Sequence, residues 1–94
     1  MRLKDVATIR LDFADADFWL IRRGSLETIG QPIKTYSPYY IGIRSEPTAL
    51  ILPDYLYYVF MHLHQVGQWK PLAHGTLNLV HIRIEDVRNI ALTH

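Results

Sequence analysis

The sequence predicts a small α+β domain, a twisted, mostly antiparallel sheet packed on one main helix. Three observations point there. Only one stretch, PDYLYYVFMHLHQVG from Pro53 to Gly67, carries a sustained helical period. Short apolar runs of strand composition lie on both sides of it, punctuated by glycine and proline. Strand and helix do not alternate as βαβ units would require. The 94 residues show no internal repeat, low-complexity tract or linker, so residues 1–94 read as a single domain with one core.

The elements follow in order. LKDVATIRLDF predicts a short helical turn at Lys4–Ala7 running into a strand. In ADADFWLIRRG, Phe18, Trp19, Leu20 and Ile21 form a strand that Gly24 stops. Gly30, Pro32 and Pro38 exclude a long helix in the next segment, because proline lacks the N–H and clashes with the preceding turn. A strand is expected at Tyr39–Arg44, with Gly42 a bulge or a point of close backbone approach. The main helix is expected over Pro53–Val66. Pro53 suits the first turn, Asp54 complements the helix dipole, and Gly67 is a stop. Leu56, Val59, Phe60 and Leu63 form its i, i+3, i+4, i+7 stripe, expected to be buried with Trp19, Leu20 and Ile82. A strand at Thr76–Ile82, a helical turn at Ile84–Asn89 and a short extended piece at Ile90–His94 close the reading.

Composition narrows the function. A hydrophobic fraction of 49% with 20% charged residues belongs to a folded chain. The absence of cysteine removes disulfides, thiolate nucleophiles and cysteine-based zinc sites. No stretch has signal-peptide character or approaches the roughly 18 apolar residues of a membrane span. A soluble, cytoplasmic protein is expected. With a net charge of +1, nucleic-acid binding would require local clustering of cations.

Catalytic signals are nearly silent. His62 and His64 are two apart on a helix and point roughly 200° from each other, so they cannot share an ion. His74 and His81 could meet only through the tertiary fold. Asp15 and Asp17 share a face of an extended chain, but nothing nearby completes a catalytic set. No nucleophile triad, phosphate-binding glycine loop or Walker pattern is present. The expectation is no enzyme, no metal and no cofactor. The basic residues say more. Arg22, Arg23 and Arg44 end strands, Lys34 lies between them, and Lys70 and His74 flank the approach to Gly75-Thr76. Phosphate contact needs cations, free N–H groups and short hydroxyls of this kind.

Four phrases then occur in a characteristic order. Leu3–Ile9 is similar to an L-G-D-V-A-x-I opening, with Lys4 in place of the glycine. Leu52–Tyr58 matches an L-P-x-Y-L-Y-Y helix start, Gly75-Thr76 a G-T element, and Ile84–Leu92 an I-x-D-L-x-N-I-x-L close. The chain resembles the target-recognition domains of the specificity subunit of type I restriction–modification enzymes, chiefly over Ile51–Leu92. Family domains are usually longer, and a complete subunit joins two of them through helical spacers, of which these residues carry none. The resemblance implies non-catalytic binding of double-stranded DNA. The contacts it points to are Arg22, Arg23, Lys34, Arg44, Lys70, Gly75 and Thr76. Most of the phrases read as structural, with Asp86 capping or bracing the last turn.

A helix apolar on several faces also predicts self-association, as a symmetric homodimer through Tyr55, Tyr57, Tyr58 and Met61. The rival reading is a protein-interaction module, encoded by a phage or mobile element, that docks on a restriction–modification subunit or another complex. The near-neutral charge argues against an acidic DNA mimic.

Overall fold

Isoleucine and aromatic residues supply the apolar positions of the extended segments of the first half, and the chain lays those segments side by side. The computed structural model describes residues 1–49, 51–76 and 78–92. Strands β1 (Ala7–Leu11), β2 (Phe18–Leu20), β4 (Pro32–Ile33) and β5 (Ile41–Ser45) form an antiparallel sheet in the order β1-β5-β2-β4. Register places Ile9 and Phe18 on either side of Ile43, and Leu20 beside Ile41. With a two-residue side-chain period these residues share the inner face. All five are buried. Pro32 lies on an edge strand, where a missing N–H costs no ladder bond. Gly42 serves close approach, one of its two expected roles: a Cβ there would come 2.6 Å from Phe13 Cβ. The loop carrying Phe13 folds over the outer face, and its carbonyl accepts the Trp19 indole N–H at 2.9 Å.

Helix α1 spans Pro53–Gln65, with Val66 as its C-cap. Leu56 and Phe60 are fully buried against the sheet with Leu20 and Ile82, as expected. Trp19, expected with them, alternates to the outer face instead and is buried beneath the Phe13 loop. Val59 and Leu63 are only half-buried, so the inward stripe is narrower than the periodicity implied. Trp69, from the turn beyond the helix, adds to this core: it is fully buried and its ring stacks on Phe60 at 6.1 Å. Gly30, at φ +78°, makes room for that ring: a Cβ would lie 2.0 Å from Trp69 Cδ1.

There are two sheets where one was expected. At Ile21 the chain leaves the first: the Ile21 N–H donates to the Gln31 carbonyl at 3.1 Å and the Ile21 carbonyl accepts the Gly30 N–H at 2.8 Å, while Ile82 N–H donates to the Arg22 carbonyl at 3.0 Å. The expected run from Phe18 to Gly24 is thereby divided, and Arg23–Gly24 becomes strand β3 of a second antiparallel sheet. Its other members are β6 (His74–Thr76) and β7 (Leu79–His81), in the order β3-β7-β6. The strand expected at Thr76–Ile82 is thus a hairpin, with Thr76 opposite Leu79; Leu77 lies outside the described residues. The strand expected at Tyr39–Arg44 begins at Ile41, after a turn through Tyr39 and Tyr40.

The first and fourth of the phrases that carry the resemblance meet in space. Leu3 N–H donates to the Ile90 carbonyl at 2.9 Å, Leu92 N–H to that of Met1 at 2.8 Å, and Ala91 bridges Arg2. The opening turn is Leu3–Asp5, slightly earlier than expected, with Asp5 accepting the Arg2 N–H. Helix α2 (Ile84–Arg88) is the expected closing turn, and Asp86 braces it through an ion pair with Arg83 at 3.1 Å. Leu3, Val6, Val87 and Ile90 are buried together in the core. Thr93 and His94, the end of the expected final extended piece, lie outside the described residues. Among the described residues no helix is long and apolar enough to cross a membrane.

Candidate nucleic-acid interface

The crossing of the chain from one sheet to the other sets two arginines side by side at a break in regular structure. Arg22 and Arg23 line a recess of about 370 Å³ with Tyr39 and Tyr40. The tyrosines come from the turn before β5, where the Tyr39 N–H donates to Ser37 Oγ. Tyr39 is 79% exposed. Arg22 is half-buried, and its Nε lies buried without a hydrogen-bond partner among the described residues. An unmatched donor of this kind costs about 1–3 kcal/mol, which an incoming acceptor would recover. Among the described residues neither arginine pairs with a carboxylate.

The small sheet extends this surface. Its register sets Arg23 opposite His81, and His81 opposite His74. The two imidazole rings are 5.7 Å apart, so the tertiary fold does bring these histidines together. Thr76 and Leu79 continue the same exposed face by the two-residue period. On the opposite face, Gly24 and Gly75 flank the buried Val80. Gly75 is at φ +126°, and a Cβ there would lie 2.4 Å from the Leu79 carbonyl oxygen. Gly75-Thr76 therefore has a structural reason for its glycine and an exposed hydroxyl in its threonine.

Four of the seven sequence candidates, Arg22, Arg23, Gly75 and Thr76, thus belong to the small sheet and its edge. The other three go elsewhere. Lys34 ion-pairs with Asp54 at 3.7 Å and sits 4.7 Å over the Tyr57 ring. Arg44 lies opposite Thr8 and lines a separate recess of about 510 Å³ with Arg10. Asp12, Asp15 and Glu46 line it too, so carboxylates outnumber cations where a polyanion would have to enter. Lys70 borders a third recess, of about 240 Å³, beside Glu27 and Trp69.

The remaining candidates also separate. Asp17 is structural, accepting the Ser45 N–H at 2.8 Å and the Ser45 hydroxyl at 3.1 Å, while Asp15 is exposed. His64 Nε2 contacts the Glu27 carbonyl at 2.6 Å. Among the described residues no three potential metal ligands cluster. Tyr55 and Tyr58 are exposed on α1, but Tyr57 packs edge-on against Phe18 at 5.5 Å, and Met61 is half-buried. Of the four candidate dimer residues, two are therefore exposed and two half-buried. The Tyr36 phenol, held above its ordinary pKa by donating to Asp12, and Arg83, raised by its hydrogen bond and pairing with Asp86, both stand outside the recess.

Compared with protein-family models, with curated proteins and with solved structures, the chain finds no match.

Proposed function

We propose that this chain is a DNA-binding protein of the target-recognition type, without catalytic activity, acting in the cytoplasm. The contact surface in this reading is the Arg22–Arg23–Tyr39–Tyr40 recess with the adjoining row of Arg23, His81 and His74, and with Thr76. The observation that supports it is that two arginines, neither paired with a carboxylate among the described residues, line one recess, and that Arg23 continues from it into a sheet face carrying two histidines and a threonine. Cations fix the phosphates, while hydroxyl and imidazole groups supply directional contacts. Lys34, Arg44 and Lys70 drop out of the strip, each being engaged or surrounded elsewhere.

Gel shifts on mixed-sequence duplex at about 50 mM salt test this. Non-specific affinity at physiological salt is expected around 10⁻⁴–10⁻⁶ M, tightening as salt falls. The double variant Arg22→Ala/Arg23→Ala should bind more weakly, its salt slope reduced by roughly one unit per lost phosphate contact. No shift at tens of micromolar, or an unaffected double variant, sinks the reading.

A protein-docking role, to a second copy or to a restriction–modification subunit, is the second reading. It is supported by the exposed apolar residues along α1, with Leu52 at 73% and Tyr58 at 67%. Such docking would hardly respond to salt, whereas phosphate contact must weaken steeply.

A further inference from the structure

We infer that the recess between Arg22, Arg23, Tyr39 and Tyr40 takes an unstacked nucleotide, so that the chain holds a single DNA strand more tightly than closed duplex. The inference rests on the DNA-binding reading and sharpens it. A closed duplex offers its phosphates to cations but keeps the faces of its bases stacked inside. Arginines alone would serve such a ligand, and aromatic walls would add little. Here two tyrosines line the same recess as the two arginines. Tyr39 leaves most of its surface in water beside them.

Base faces on aromatic rings and phosphates on adjacent cations are how single strands are held with little sequence preference. The recess measures about 370 Å³, near the lower end of small-molecule pockets, which suits one nucleotide rather than a length of helix. The buried Arg22 Nε adds a second observation, because it has no hydrogen-bond partner among the described residues. A phosphate or base oxygen entering the recess supplies the missing acceptor. Next to the recess, Arg23, His81 and His74 stand in a row across three strands, with Thr76 on the same face, giving the neighbouring backbone a polar track to follow. The larger recess around Arg10 and Arg44 lacks this character, since three carboxylates line it.

Fluorescence anisotropy with a labelled mixed-sequence strand of about 20 nucleotides, alone and annealed to its complement, tests the inference at one salt concentration. The wild type should bind the single strand at least about five-fold more tightly than the duplex. Tyr39→Ala should weaken the single-strand complex about five-fold or more, the loss of one stacked base, and change duplex binding less than two-fold. Tyr39→Phe should retain single-strand affinity, because stacking needs the ring and not the hydroxyl. The exposure of Tyr39 keeps the fold out of the comparison, and a circular dichroism spectrum checks that. Equal affinity for both forms, or no effect of Tyr39→Ala on the single strand, overturns the inference. If duplex still binds and Arg22→Ala/Arg23→Ala weakens it, the DNA reading survives that result. If neither form binds, both fall.

Discussion

The two sheets are made of the same short antiparallel strands, yet they are held in opposite ways. In the four-stranded sheet Ile9, Ile41, Ile43, Phe18 and Leu20 are at most 3% exposed beneath α1, and the Phe13 loop covers the part of the outer face at Trp19 and Gly42. The three-stranded sheet buries one side only, through Val80 and Ile82, and leaves Arg23, Thr76 and Leu79 open with His81 half-buried beside them. Its inner face is kept thin by Gly24 and Gly75, both at positive φ. Stability is thus concentrated in one sheet and exposed polar chemistry in the other. A lesion in the first should unfold the chain, whereas a lesion in the second should change what it holds.

The largest expected effect is at Phe60, which is fully buried between Phe18 and Trp69. Phe60→Ala should cost about 3–5 kcal/mol in urea unfolding, a large fraction of the stability of a domain this size. A cost below about 1 kcal/mol would remove α1 from the core and break the contrast between the sheets.

A smaller and more local effect is expected at Gly75. An alanine there combines a disfavoured φ with a contact against the Leu79 carbonyl, at a cost of about 1–3 kcal/mol. If the small sheet is the weaker unit, amide exchange should speed up at Val80 and His81 in Gly75→Ala while Phe18 and Ile43 keep their protection. Equal loss in both sheets would mean that they open as one unit.

The same contrast explains what the sequence disclosed. The α+β class and α1 were legible because Pro53, Asp54 and Gly67 mark the ends of a strong period, and Leu56 and Phe60 obey it. Trp69 was hidden because it lies beyond the stop, and nothing local says that its ring will rest on Gly30. The split of Phe18–Gly24 between sheets depends on backbone bonds from Ile21 to Gln31 and from Ile82 to Arg22, which no period encodes. For the candidate interface, residue type singled out Arg22 and Arg23, but convergence depended on register. Arg44 alternates to the outer face of the large sheet, beyond reach of a strip that strand-end position alone suggested. His74 and His81 become neighbours only once Thr76–Leu79 is a hairpin. Tyr39 and Tyr40 read as strand residues, although the chain uses them in a turn, where they line the recess with Arg22 and Arg23.

The smallest expected effect on stability concerns the two sides of α1. Leu56 and Phe60 on the inner side are fully buried, while Tyr55 and Tyr58 are 47% and 67% exposed and border a shallow recess with Leu92. Exposed aromatic surface gives little to the monomer, so Tyr58→Glu should shift the urea midpoint at low concentration by no more than about 0.5 kcal/mol. In the proposed homodimer that same surface is what the partner covers, and a carboxylate buried there without a counter-ion is strongly disfavoured. Light scattering at high concentration should therefore report a dimer for the wild type and a monomer for Tyr58→Glu, with the fold unchanged in both. A wild type that scatters as a monomer rules out self-association. A dimer that survives the substitution moves the interface off this side of the helix.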